Sequence, residues 1–448
     1  MRAADLGARR VGIWGLGREG RAAIGFLRKH HPRLPLVLMD DTADARVPEE
    51  HGGNIRCAFG ADRIAAALDD IDVIVKSPGV SLYRDDIRSA REKGVQITSL
   101  LNLWFAEEHD VTTIAVTGTK GKSTTASLIA HILTRLSRRV ALAGNIGVPV
   151  TEIRNADYAV IEVSSYQAAD FEGVCDLGVL TSLYPEHADW HLTVQRYVRD
   201  KVNLLSHSMC RIVNRAAADV VEPIIAGSPG RKYLFNDTGG VRSDDIGIFD
   251  GRDWIGTVRN SYLARPHNRS NLCAALAVAK MLDINLAAAL DATCDFRGLP
   301  HRQQELGESE HLLFVDDSIS TIPESTMAAL AVYAGRQITV IVGGYDRGVD
   351  YGKLVATLST RAVSAVICLG DAGRRIYGQM RAALISRGDV GFPLHLALSM
   401  EDAVSYARRM TPPGGVVLLS PAAPSYGQYR DYIERGRDFA AKAGLAAV

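Results

Sequence analysis

The stretch Thr112-Thr113-Ile114-Ala115-Val116-Thr117-Gly118-Thr119-Lys120-Gly121-Lys122-Ser123-Thr124 decides the fold class. Its first six residues read as a short buried strand, and Leu128, Ile129, Ile132, Leu133 and Leu136 then recur at helical spacing. A strand that feeds a helix through a glycine-rich turn is the building unit of a parallel α/β sheet. The N–H groups of such a turn can cradle phosphates, while Lys122 can reach the β and γ oxygens and Ser123 can meet Mg2+. Gly118 and Gly121 stand closer together than in the general G-x4-G-K-[ST] loop, so the flanking strand and helix carry the reading.

Working outward, the same unit recurs on both sides. Toward the N-terminus, Arg10–Trp14 reads as a strand that enters Gly15-Leu16-Gly17-Arg18-Glu19-Gly20, with Asp40 some way beyond. That arrangement places a pyrophosphate on a helix N-terminus and suits a dinucleotide such as NAD or another nucleotide diphosphate. A second turn, Lys76-Ser77-Pro78-Gly79, follows the strand Val73–Val75. Toward the C-terminus, strands are expected at Tyr158–Val163, Leu177–Leu183, Leu312–Val315, Ile338–Val342, Val366–Leu369 and Val416–Leu419, with a helix near Ser325–Tyr333. Each run is short, apolar and closed by a breaker, as buried parallel strands require. The expected architecture is α/β in three domains: a Rossmann-like domain at 1–107, a central P-loop domain with a mostly parallel sheet at 108–297, and a Rossmann-like domain at 298–448.

Composition narrows the class. At 448 residues, 47% hydrophobic and 23% charged, the chain can build several cores and resembles a soluble enzyme. Its 51 basic and 51 acidic residues cancel, which removes the electrostatic footprint of a nucleic-acid or membrane-surface binder. Neither a signal peptide nor a membrane span is expected, and the six scattered cysteines form no C-x-x-C pair, so a cytoplasmic location follows.

Three residues stand out near the phosphate loop. Glu162 lies within an apolar strand, where an unpaired carboxylate carries a heavy desolvation cost, and Mg2+ or a salt bridge would relieve it. His187, in Pro185-Glu186-His187-Ala188-Asp189, follows a strand and falls on the loop's rim. Lys201 shares a helical spacing with Val194, Tyr197, Val198, Val202 and Leu205, which points it inward. Burial lowers an amine's pKa, and a neutral amine can be carbamylated by CO2.

Taken together, these residues resemble the Mur ligase family over essentially the whole chain. The likeness rests on Thr117–Thr124, Gly144-Asn145-Ile146-Gly147, Glu162-Val163-Ser164-Ser165-Tyr166-Gln167, His267-Asn268-Arg269-Ser270-Asn271, Gly298-Leu299-Pro300-His301-Arg302 and Asp317-Ser318. The resemblance implies an ATP-dependent amide-bond-forming ligase of peptidoglycan precursor synthesis. Its substrates would be UDP-N-acetylmuramoyl-L-alanine and glutamate, and it would work as a monomer. Gly15, Leu16, Gly17, Arg18, Asp40, Ser77, Pro78, Gly79 and Asn145 would serve the UDP substrate. Gly118, Thr119, Lys120, Gly121, Lys122, Ser123, Thr124, Asn271, Arg302 and Asp317 would serve ATP. Ser123, Glu162, His187 and a carbamylated Lys201 would hold Mg2+, with Lys122, His187 and Lys201 in catalytic roles.

The C-terminal block departs from the pattern of the D-glutamate-adding ligases. Asp317-Ser318-Ile319 replaces Asp-Ser-Lys, Gly343-Gly344-Tyr345-Asp346-Arg347-Gly348 carries arginine in place of lysine, and Ser425-Tyr426 stands near the end. With Thr321, Arg347, Ser425 and Tyr426 assigned to the amino acid, these departures resemble the branch that adds L-glutamate.

Overall fold

The computed structural model describes residues 1–446 apart from 44, 46, 48–53, 185–187, 361–362 and 390. Two compact units emerge, Met1–Phe296 and Arg297–Val448.

The first unit opens with a parallel sheet of β1 (Val11–Trp14), β2 (Leu36–Asp40), β3 (Ile55–Phe59), β4 (Val73–Lys76) and β5 (Gln96–Ser99), in the order 3-2-1-4-5. All of β1 and β4 is buried, which is why neither alternates polar with apolar. Strand order reverses between β1 and β4, and open α/β sheets take ligands outside the carboxyl ends at such a point. The turns Gly15–Gly20 and Lys76–Gly79 both leave the sheet there.

A second sheet is built from β6 (Thr112–Thr117), β7 (Val140–Gly144), β8 (Tyr158–Glu162), β9 (Cys175–Leu180), β10 (Ser208–Asn214) and β11 (Arg231–Phe235). Its order is 11-10-9-6-8-7, parallel throughout. The phosphate loop leaves β6 at the centre and passes into the helix Lys122–Arg135. Ile114, Val116 and Val160 face that helix and Pro266–Met281, whereas Ala115, Ala159 and Ile161 face the other way. There they share one core with Leu27, Val75 and Trp104 of the first sheet's layer, so the two sheets form a single unit. Burying each large side chain of this kind contributes about 1.5–3 kcal/mol. A small antiparallel sheet, β12 (Val241–Ser243), β13 (Ile248–Asp250) and β14 (Asp253–Gly256), completes the unit.

The second unit carries β15 (Gln304–Ser309), β16 (Leu312–Asp316), β17 (Ile338–Gly343), β18 (Ala365–Leu369), β19 (Leu394–Ala397) and β20 (Val416–Leu419), in the order 15-16-20-17-18-19. Only β15 runs antiparallel to its neighbour.

The expected α/β architecture with mostly parallel sheets is present, with two local corrections. The strand expected to reach Leu183 stops at Leu180, because Thr181 turns its hydroxyl onto the Thr117 and Lys120 carbonyls. In the helix Val194–Ser206 the inward face holds Tyr197, Lys201, Val202 and Leu205, but Val194, in the first turn, is exposed.

Candidate functional site

Geometry in the phosphate loop is fixed by its neighbours. Thr119 N–H donates to the Ser182 carbonyl and Lys120 N–H to Ser182 Oγ at 2.8 Å. The Thr119 hydroxyl meets Tyr197 OH at 2.7 Å. Gly121 sits at φ +86° as the residue before the helix, and a Cβ there would fall 2.2 Å from Asn271 Oδ1. Asn271 therefore packs directly on the loop, held by its Nδ2 donating to Asn268 Oδ1 at 3.1 Å. Lys122 Nζ donates to the Thr119 carbonyl at 3.1 Å, folded over the loop it would serve. Ser123 and Thr124 are buried at the start of the helix.

Glu162, at the end of β8, is 1% exposed. Its Oε1 accepts from Asn145 Nδ2 at 3.1 Å, while Oε2 is buried without a hydrogen-bond partner among the described residues. A buried carboxylate oxygen left bare costs about 1–3 kcal/mol. An oxygen-seeking divalent cation fits that vacancy of bonding. Among the described residues no three His, Cys, Asp or Glu side chains converge on a metal position. Lys201, also 1% exposed, donates from Nζ to the Gly118 carbonyl at 2.8 Å and lies 5.1 Å over the Tyr197 ring. The inward aim read from helical spacing is thus observed, and its target is the phosphate loop. His187 lies outside the described residues.

On the first sheet, the glycine turn is tight: a Cβ at Gly20 would fall 1.9 Å from the Gly15 carbonyl oxygen. Ser77 Oγ donates to that carbonyl at 2.6 Å, so the two turns are hydrogen-bonded to each other. Asp40 accepts from Leu16 N–H at 2.9 Å and from Thr42 N–H at 3.0 Å. Its carboxylate is engaged in shaping the turn, which weakens the dinucleotide reading that would give it to a ribose. Arg18 donates to the Gly144 and Gly147 carbonyls and so ties this turn to the loop that carries Asn145.

The same region holds a charged cluster that spacing did not reveal. Lys76 pairs with Asp170 at 3.3 Å, both buried. Burial pushes the Asp170 carboxyl up, against the pull of Lys76. Burial likewise pushes Glu19 up to about 7, opposed by Arg18 and Lys76. Glu19 accepts from Gln167 Nε2, and Gln167 closes a capping box with Ser164 just after Glu162. Only the S-x-x-Q pattern of that cap was visible in the sequence.

In the second unit, Arg302 presents a buried Nε without a hydrogen-bond partner among the described residues. Asp317 is 1% exposed and accepts from Gln303 N–H, Ser320 Oγ and Ser420 Oγ at 2.6–3.1 Å. Burial nevertheless raises its carboxyl to about 6. Arg435, also buried, bonds to Ser318 Oγ and to the Ser318 and Ala423 carbonyls, bracing the ends of β16 and β20; burial lowers it to about 10. Arg347 is exposed and donates one Nη to the Thr321 carbonyl at 3.0 Å. Tyr345 and Tyr426 meet edge to face at 6.4 Å, and Tyr345 N–H donates to the Pro424 carbonyl beside buried Ser425. The residues expected to hold the amino acid therefore come from neighbouring loops.

Residues 9–99 match the Mur ligase MurD-like N-terminal domain, 116–279 the Mur ligase middle domain, and 301–423 the Mur ligase glutamate ligase domain. The chain is similar to a Xanthomonas axonopodis pv. citri protein named UDP-N-acetylmuramoyl-L-alanine--L-glutamate ligase, at 39% identity over 463 residues, covering 99% of this chain and 97% of that one. A Salinispora tropica protein of the same name is 40% identical over 464 residues, covering 98% of each. Among solved structures, UDP-N-acetylmuramate-alanine ligase from Thermotoga maritima covers 97% of this chain and 99% of its own at TM-score 0.57 and 17% identity. MurF from Acinetobacter baumannii covers 99% of this chain and 92% of its own at TM-score 0.60 and 15% identity. Those two share the fold. Matches across all three blocks and relatives aligned from end to end place the chain in the Mur ligase family, ligases that form amide bonds with ATP.

Proposed function

We propose that this chain adds L-glutamate to UDP-N-acetylmuramoyl-L-alanine, with ATP converted to ADP and phosphate, in peptidoglycan precursor synthesis. The observation that carries the chemistry is Glu162, buried beside the phosphate loop with one oxygen lacking a hydrogen-bond partner among the described residues. Ser123, Glu162 and His187 would hold Mg2+, which when bound offsets charge on the transferring phosphoryl group. Lys201 would carry the carbamate; its burial against the Gly118 carbonyl supports that position.

A carboxylate is a poor acylating agent, so activation comes first. An oxygen of the substrate's terminal carboxylate attacks the γ-phosphorus, the bond to the bridging oxygen breaks, and ADP leaves. The glutamate amine then attacks the acyl phosphate carbonyl carbon, phosphate departs, and the amine loses a proton. Lys122 supplies positive charge to the phosphoryl oxygens, and the loop's N–H groups hold them in place. No covalent bond to the protein is required.

Residues 1–107 would bind the UDP moiety through the turns at Gly15–Arg18 and Ser77–Gly79, with Asp40 shaping the first. Residues 108–297 would bind ATP through Gly118–Thr124 and Asn271, with Asn145 beside the muramoyl arm. Residues 298–448 would bind glutamate through Thr321, Arg347, Ser425 and Tyr426, and Arg302 and Asp317 are assigned to ATP. No described helix is long and apolar enough to cross a membrane; we assign the chain to the cytoplasm as a monomer.

The enantiomer rests on the names of the full-length relatives and on the Arg347 and Tyr426 departures. Phosphate release with ATP, Mg2+ and UDP-N-acetylmuramoyl-L-alanine, measured with each glutamate enantiomer, tests it. A preference for D-glutamate overturns the enantiomer alone. Release with neither overturns the reaction.

A further inference from the structure

A buried line of hydrogen bonds runs from the loop beyond the Lys76–Gly79 turn to the segment after Glu162. The Tyr83 hydroxyl lies 2.7 Å from both carboxylate oxygens of Asp200 and donates to them. Asp200 Oδ2 lies 2.6 Å from His191 Nδ1, and His191 Nε2 lies 3.1 Å from Ser165 Oγ. A carboxylate only accepts, so Nδ1 carries a proton; in that tautomer Nε2 accepts the Ser165 hydroxyl. His191 is wholly buried, and Ser165 and Asp200 nearly so. Burial and the Asp200 carboxylate keep the Tyr83 phenol protonated, as the first donor of the line.

Each end of the line meets a part of the site. Ser165 is the first residue of the short helix that follows Glu162 and β8. Asp200 precedes Lys201 on the helix Val194–Ser206, which Thr193 caps by accepting from Arg196 N–H. Tyr83 belongs to the first sheet's layer, and its loop is docked further by Ser81 Oγ donating to the Trp190 carbonyl at 2.9 Å. Aromatic rings enclose the line: Trp190 stacks on Tyr166 at 4.7 Å, Tyr83 meets the edge of Trp190, and Arg196 covers the Tyr83 ring at 4.5 Å.

Stability alone is a weak reason for this arrangement, because well-packed apolar side chains hold an interior at least as firmly as a buried charged pair. What a satisfied polar line adds is direction: each atom has one place from which its partner can be reached. We propose that Tyr83, Asp200, His191 and Ser165 form a positioning chain that keeps the Glu162 segment and the Lys201 helix in register with the substrate-bearing turn of the first sheet. These are positioning residues acting through Glu162 and Lys201. The inference rests on reading those two as the metal and carbamate positions.

The test uses the full chain with Tyr83→Phe, Asp200→Asn and the double substitution. Mn2+ affinity is measured by water-proton relaxation with a non-hydrolysable ATP analogue and no UDP substrate, alongside circular dichroism and the kcat and KM values of the ligation. Mn2+ affinity and kcat are expected to fall about tenfold in Tyr83→Phe with the fold intact, the size expected of one hydrogen bond to a charged group. KM for the UDP substrate should move less than about twofold, and the double variant should be no worse than Asp200→Asn, since members of one unit are not additive. Both single variants retaining Mn2+ affinity and kcat would overturn the proposal. So would fully additive losses, or a change confined to KM for the UDP substrate, which would make Tyr83 a binding residue. A wild-type chain that turns over neither glutamate enantiomer refutes the reaction reading, while the Mn2+ measurement still decides the positioning chain.

Discussion

A side chain at Gly121, in the glycine-rich loop, would collide with Asn271. At φ +86° an alanine pays the left-handed backbone cost of about 1–2 kcal/mol. Its Cβ would also lie 2.2 Å from Asn271 Oδ1 and 3.2 Å from Cγ, closer than side chains tolerate, so Asn271 must shift. That shift breaks its 3.1 Å bond to Asn268 and its contact with Thr125 Oγ1 at 3.4 Å. At about 1 kcal/mol for each bond, the local cost comes to about 3–4 kcal/mol, borne at the glycine-rich loop itself. Gly94 is the matched control, at φ +88° with open space where a Cβ would go. Gly94→Ala should lower Tm by a few degrees and leave nucleotide affinity alone, whereas Gly121→Ala should weaken binding of a non-hydrolysable Mg2+–ATP analogue by about 10- to 100-fold in calorimetry. The reasoning fails if Gly121→Ala binds within threefold of wild type, or if Gly94→Ala loses as much.

Three further outcomes are expected. Lys201→Ala should be nearly inactive in the phosphate-release assay and partly restored by added short carboxylates that occupy the carbamate's place; full activity without them would reduce Lys201 to packing. Glu162→Gln should lose the Tm rise given by Mg2+ with an ATP analogue, yet in EDTA should unfold about 2–4 °C higher, because it takes the charge off a carboxylate that is 1% exposed and has one oxygen without a hydrogen-bond partner among the described residues. Asp317, raised to about 6 from an ordinary 3.8, is protonated in the folded chain at pH values where the unfolded chain is ionised. Its contribution to stability is therefore full below about 3.8 and lost as pH rises through about 6, on the order of 3 kcal/mol at most. Amide exchange of β16 and β20 compared with Asp317→Asn should show that difference growing between pH 4 and pH 6, and a constant difference would refute it.

Strands such as Thr112–Thr117 and Val416–Leu419 were legible because burial on both faces leaves an unbroken apolar run, and the phosphate loop because glycine, lysine and serine have few other uses between a strand and a helix. Lys201 was legible as an inward side chain, since helical spacing fixes direction along one element. Its partner, the Gly118 carbonyl, was not, because the two residues are distant in sequence and a backbone acceptor leaves no residue signature. The same limit hid Asp40's bond to Leu16 N–H and Arg18's bonds to the Gly144 and Gly147 carbonyls. The Tyr83–Asp200–His191–Ser165 line escaped for another reason. Its members come from four segments, and each alone reads as an ordinary loop or helix residue. The strand end at Leu180 was overrun because Thr181 is β-branched and Leu183 apolar, while Thr181 in fact bonds to the phosphate loop.

The polar groups buried in the first unit bear on how its two sheets come together. Lys76 of β4 finds Asp170, which belongs to the second sheet's layer. Tyr83 finds Asp200, and Glu19 finds Gln167. In every case one partner comes from each sheet's layer, so separation would leave groups that had been matched to a partner exposed or unpaired. Their desolvation is offset only when the layers are docked, and the shared core of Leu27, Val75, Trp104, Ile161 and Val163 supplies the apolar drive for docking. Docking also fixes the segments that carry Asn145, Glu162 and Lys201, because Arg18 donates to the Gly144 and Gly147 carbonyls, Gln167 donates to Glu19, and Asp200 accepts from Tyr83. Docking of the first sheet on the second therefore sets where the segments carrying Asn145, Glu162 and Lys201 stand relative to the turns of the first sheet. The Lys76–Gly79 and Gly15–Gly20 turns occupy the place where a bound diphosphate would be in contact with both.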